Sequence, residues 1–179
     1  SGTMLQNNIN TGIYSNLKLQ NMLQIVNKYN KLSKEHNSDF LNRNIMISRF
    51  HSGLTSINIA PELGVIETKV IIDNLINNIE NNDNGDNVNN RCIELFYELC
   101  YNSNKWRKWV SQNFIPEDNK MKLIEICGHY VYSNSRFSEI TKGLNNIDVE
   151  IKDKLISFYN QLYECCNPYF YKRHLLNVE

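Results

Sequence analysis

Apolar residues recur at intervals of three and four along almost the whole chain, and that period leaves few alternatives to a protein made of helices. Between residues 14 and 32 the apolar positions are Leu17, Met22, Ile25, Val26, Tyr29 and Leu32, separated by Lys, Gln and Asn. Such a stripe predicts an amphipathic helix. A second helix is expected from Asp39, placed as its N-cap, through Phe40, Ile45 and Phe50 to a stop near Gly53. A third is expected over 66–79, with Val70, Ile72, Leu75, Ile76 and Ile79 on one side. Its β-branched content also suits a strand, but its length and the 75-76-79 spacing favour helix. Punctuation is scarce, with seven glycines and three prolines in 179 residues.

The clearest break is NNDNGDNVNN, residues 81–90, polar throughout and without an apolar period. It predicts a linker loop between an N-terminal helical half, 13–80, and a C-terminal half, 91–179, within one domain. Residues 1–12 read as a flexible start, in which Ser1, Gly2 and Thr3 before Met4 look like a cloning remnant. In the second half, helices are expected over 91–101, 105–114, 117–132, 137–142 and 148–165, with a last piece after Pro168. Pro116 and Pro168 stand where a new helix can start, because the first turn does not need proline's missing N–H. The expected class is all-α, with antiparallel helices stacked as a helical repeat or as an irregular bundle.

An internal repeat marks the second half. LCYNSNKW ends at Trp106, YVYSNSRF at Phe137 and ECCNPYF at Phe170, each closing an apolar stretch with small polar residues and an aromatic. Stacked αα-hairpins produce this pattern, because each unit buries its apolar faces only against its neighbours. The stretch CIELFYELCYNSNKWRKWVSQNFIP resembles the armadillo and HEAT repeats, in which an apolar helix ends in a short turn and a following helix leads to a proline boundary. The likeness spans residues 91–170. It departs from the family in its shorter period and in lacking the glycine turn. The resemblance implies a groove for a partner peptide. In armadillo proteins a Trp with an Asn one helical turn later lines that groove. Trp109 and Asn113 have this spacing but fall on the helix after the turn rather than on the concave one, so the resemblance implies the groove and not those ligand roles.

Charge limits the partners. Nineteen Lys and Arg balance nineteen Asp and Glu, so no overall field draws the molecule to nucleic acid or to an acidic membrane. The five cysteines are odd in number, have no CxxC spacing and fit a reduced intracellular compartment, cytoplasmic or nuclear. No run of eighteen apolar residues occurs and no secretory signal is visible, so no membrane partner is expected. Asparagine, about one residue in six, reads as background filling solvent positions.

Two stretches suggest binding. In SINIAPELGVIETKVIIDNLI, Gly64 could take the tight turn of a helix-turn-helix, with Ile59, Ala60, Leu63, Val65 and Val70 at its apolar positions. The reading helix would carry Lys69 alone against Glu67, Asp73 and Glu80, which disfavours a polyanion. The blander reading is a structural helix pair opened by Asn58 or Pro61. The stronger stretch is Lys105, Trp106, Arg107, Lys108 and Trp109, where cations beside aromatics suit an interface. As plain structure, these would be core tryptophans with a solvated basic flank, sharing a helical face with Val110 and Asn113. Tyr171, Lys172 and Arg173, followed by His174, form a second basic patch.

Catalysis finds little support. His36, His51, His129 and His174 are scattered, without HExxH or zinc-ligand spacing, and glycines occur without a phosphate loop. Cys127 and His129, two apart, would point to different faces of a helix. Cys92 and Cys100 read as small core residues. No catalytic residue, metal or cofactor is expected. The expected function is a non-enzymatic interaction or scaffold module that receives a peptide or helix of a partner protein on exposed helix faces. Nucleic-acid binding through 56–80 or the basic patches is the alternative, and a compact bundle that holds an amphipathic helix in a groove is a further one.

Overall fold

A computed structural model of the protein describes residues 5–80 and 86–166. Over these residues the chain is all-α. Seven α-helices are present: α1 (Asn16–Lys28), α2 (Arg43–His51), α3 (Pro61–Glu80), α4 (Asp86–Ser103), α5 (Lys120–Cys127), α6 (Phe137–Thr141) and α7 (Ile147–Cys166). Four two-residue strands, β1 (Leu5–Gln6), β2 (Ile9–Asn10), β3 (Lys34–Glu35) and β4 (Ser56–Ile57), and three short 3₁₀ turns, Lys105–Trp109, Glu117–Asn119 and Gly128–Tyr130, complete the regular structure of the described residues. No described helix is long and apolar enough to cross a membrane.

The chain forms two compact units. The first comprises Ile9–Ala60 together with the described residues from Ile156 onward. Here α1 starts at Ser15, whose hydroxyl accepts from the Lys18 N–H, and α2 starts at Asn42, whose side chain accepts from the Asn44 N–H at 2.8 Å. Asp39 is therefore not a helix cap as expected. It is buried, and its carboxylate accepts from the Ala60 N–H at 2.9 Å, pinning the chain just before α3. Strands β3 and β4 run parallel with Lys34 opposite Ser56.

This unit buries little apolar surface, chiefly Leu23, Met46 and Leu54, and a good deal of polar surface. Arg49, 2% exposed, pairs with Glu35 and lies with its guanidinium carbon 5.2 Å from the centre of the Tyr14 ring. Within α1 only Leu23 is fully buried, whereas Leu17, Met22 and Ile25, like Tyr29 at its C-cap and Leu32 beyond it, face solvent. Most of the apolar stripe of the expected amphipathic helix therefore faces solvent, with Val26 half-buried.

The second unit comprises Gln6–Asn8 and Pro61–Leu155. Helices α3, α4 and α5 pack against one another in all three pairings, and α6 packs on α4. Phe96 and Cys100 of α4, Leu75 of α3, and Leu123, Ile124 and Cys127 of α5 form the dry centre. Phe96 meets Phe137 edge to face at 5.5 Å.

In this unit α3 begins at Pro61, five residues before the expected start, with proline in the first turn where its missing N–H is harmless. Gly64 therefore lies inside a continuous helix, and the stretch that resembled a helix-turn-helix contains no turn there. Both Gly64 and Gly128 are sites of close approach. A Cβ on Gly64 would sit 2.5 Å from His129 Cγ, and one on Gly128 would sit 2.5 Å from Thr68 Cγ2. Thr68, fully buried on α3, donates to the Gly64 carbonyl at 2.7 Å and shares a 2.9 Å hydrogen bond with the Tyr132 hydroxyl.

The expected polar break is shorter than 81–90, because α4 already starts at Asp86. Turns elsewhere rely on asparagine. Asn7, Asn8, Asn30, Asn37, Asn104 and Asn146 all take positive φ, between 50° and 59°, a region glycine usually serves and asparagine tolerates best among the rest. The asparagine excess thus has a conformational role that composition alone did not reveal.

Two substitutions test this packing. Gly128→Ala should destabilise the protein by about 1–3 kcal/mol through overpacking against Thr68 and Phe96, read as a lower urea midpoint. Glu35→Ala should cost about 3–5 kcal/mol, because it strands the Arg49 guanidinium in the interior without a counterion.

Candidate functional site

The Lys105–Trp109 segment is a short 3₁₀ turn rather than the expected helix over 105–114. Two local features redirect the chain. Asn104 adopts a left-handed conformation with φ 56°, which ends α4, and Val110 is extended, which ends the turn. Ser103 bridges the break, its hydroxyl donating to the Cys100 carbonyl at 2.6 Å and accepting from the Lys105 N–H at 3.1 Å. The Trp106 indole N–H reaches back to the Tyr101 carbonyl at 3.1 Å and satisfies one of the open acceptors at the end of α4.

Trp106 is therefore a core residue, 6% exposed, with its ring 6.0 Å from Tyr101 and 6.1 Å from Phe114. Trp109 is half-buried, and its carbonyl accepts from the Asn7 N–H at 2.7 Å. Because the turn does not continue as a helix, Trp109 and Asn113 do not stand one helical turn apart. Asn113 is solvent-exposed beyond the turn.

The tryptophans hold the cations. Arg107 lies 4.9 Å over the Trp106 ring, with its Nε donating to the Asn104 side chain at 2.8 Å. Lys108 Nζ sits 4.5 Å from the centre of the Trp109 ring and 5.5 Å from that of Tyr130. Lys105, Arg107 and Lys108 are exposed, and among the described residues none of them is in an ion pair. The other expected basic patch, Tyr171, Lys172 and Arg173, lies outside the described residues.

Below Lys108 the site includes residues that sequence patterning did not join to it. His129 packs its ring 4.1 Å from that of Tyr130 and abuts Gly64. Burial, aided by the Lys108 charge, holds the His129 imidazole below its usual range, and its Nδ1 finds no hydrogen-bond partner among the described residues. Burial likewise pushes the Tyr130 hydroxyl up, partly offset by the neighbouring Trp109 indole. Nearby, burial raises the Glu125 carboxyl, but donation from Asn8 and the charges of Lys122 and Lys69 outweigh it and leave the group below its ordinary value. Its relation to Asn8 joins residues 117 apart in the chain, a distance at which periodicity carries no signal.

Away from this turn, a concavity of about 610 Å³ runs along α4, lined by residues that include Arg91, Glu94, Tyr97, Glu98, Tyr101 and Arg136. Its charges largely answer one another, since Lys120 pairs with Glu94 at 2.7 Å and Arg136 approaches Glu98 at 3.9 Å. Cys100 and Cys127 are fully buried, and burial drives the Cys100 thiol far above the thiolate range, an effect increased by Cys127. Thiols so placed pack as small apolar groups. Among the described residues no three His, Cys, Asp or Glu side chains gather into a candidate metal site. No protein family, curated protein or solved structure matches the chain.

The depressed histidine generates a pH dependence with a defined sign. The unfolded state takes up the proton first, so this stability is fully present above pH 6.5 and is lost as pH falls through the folded value. Urea denaturation should show wild type losing more stability than His129→Gln between pH 7.5 and 5.5. A difference that stays constant across that interval would contradict the assignment.

Proposed function

We propose that the protein is a non-enzymatic intracellular interaction module that receives a peptide or helix of a partner protein, with the Lys105–Trp109 turn at the contact. One observation carries this reading: Arg107 and Lys108 are exposed, have no carboxylate partner among the described residues, and are held over the rings of Trp106 and Trp109 on a turn fastened to the core. A cation already ordered on an aromatic face loses less conformational freedom when a partner's carboxylate or carbonyl arrives. Arginine and tryptophan together are also the side chains that most often dominate interface energetics. The module keeps a helical-repeat character akin to armadillo and HEAT proteins. What supports this is the recurrence of a polar, asparagine-containing turn followed by an aromatic that enters the core, at Trp106 and again at Phe137.

Capture from native lysate, with and without nuclease, compares wild type with the Arg107→Glu, Lys108→Glu variant. Protein partners should persist after nuclease treatment and bind the variant about tenfold more weakly or worse, while stability changes by no more than about 1 kcal/mol. Partners that vanish with nuclease, together with affinity that drops steeply with salt, would move the reading to nucleic acid. Undiminished binding by the variant would place the contact elsewhere.

A further inference from the structure

The outer face of α1 is an apolar surface without a partner among the described residues, in a setting of mostly positive charge. Leu17 is 72% exposed, Ile25 61%, Tyr29 65% and Met22 49%. At about 100° per residue these four fall within an arc of about 140°, while Leu19 and Leu23 point away from that arc. Two lysines, Lys18 and Lys28, lie inside the same arc, and α1 contains no acidic residue. Between Ile9 and Ala60 the chain has six Lys and Arg against two carboxylates, although the whole molecule is neutral. Both of those carboxylates are engaged: Glu35 pairs with Arg49, and Asp39 is 1% exposed. Glu164, the remaining described carboxylate of this unit, pairs with Arg43 at 2.9 Å.

We infer that this face is a docking site for an acidic amphipathic helix of another protein, distinct from the Lys105–Trp109 turn. Charge complementarity selects the occupant. A helix with leucine or isoleucine at three- and four-residue spacing and glutamates beside them covers Leu17, Met22, Ile25 and Tyr29 and neutralises Lys18 and Lys28. A second copy of α1 would set lysine against lysine in either direction. A bilayer would have to take up Lys18, Lys28 and Asn21 from within the apolar arc, whereas interfacial helices keep such groups on the opposite face.

The test titrates the whole protein with two labelled synthetic helical peptides, identical in their apolar residues, one flanked by glutamate and the other by lysine. The acidic peptide should bind at least about tenfold more tightly than the basic one. Ile25→Glu with Tyr29→Glu should abolish that binding without lowering the melting temperature. Lys18→Glu with Lys28→Glu should invert the preference between the peptides, an outcome that loss of folding cannot mimic. The Arg107→Glu, Lys108→Glu variant should bind the acidic peptide like wild type, so this inference and the proposal for the 105–109 turn fail separately. Equal binding of both peptides would overturn the inference. So would binding only to phosphatidylserine vesicles, or a concentration-dependent dimer that the Ile25 and Tyr29 changes abolish.

Discussion

The close approach of α3 to the corner at residues 127–130 sets the geometry of the larger unit. Gly64 and Gly128 face side chains at distances where no Cβ fits, and Thr68 between them uses its hydroxyl twice, toward the Gly64 carbonyl and toward Tyr132. Separating the elements would leave a buried hydroxyl without its cross-element partner and open a gap beside Phe96. The same approach fixes His129 against Gly64 and so sets the floor beneath Lys108. The candidate contact surface therefore depends on two absent methyl groups some distance along the chain from it.

The two units solve the problem of stability differently. The larger one has a continuous apolar centre drawn from three mutually packed helices. The smaller one places an arginine–glutamate pair, a buried aspartate and a buried serine where a larger domain would place aliphatic side chains. Buried ion pairs of this kind give less net stability than apolar packing but tolerate little displacement, because each charge must keep its partner. Asparagine turns link these elements, taking left-handed backbone positions in a chain with few glycines.

Much of the helix content was legible in the sequence because helical periodicity is a local property. The expected helices over 14–32, 66–79, 91–101, 137–142 and 148–165 correspond to α1, α3, α4, α6 and α7, with ends shifted by caps and turns. The failures have particular causes. Asp39 has the chemistry of a cap, yet its carboxylate is taken by the Ala60 N–H. The 105–114 stretch has helical spacing, yet Asn104 and the Trp106 indole close α4 and divert the chain. In the candidate site, the basic-aromatic residues were visible as a cluster, whereas Tyr130, His129 and Asn7 joined them only through folding.

The sequence by itself determined that this chain is helical, that its second half alternates apolar helices with polar turns, and that cations and tryptophans are adjacent at 105–109. Those properties depend on neighbours within a few residues. Only the tertiary structure decided which face of α1 meets solvent, whether Gly64 sits in a turn or in a helix, and which rings lie beneath Arg107 and Lys108. An amphipathic pattern says that a face needs covering, but what covers it is settled by residues dozens of positions away whose packing no local period encodes.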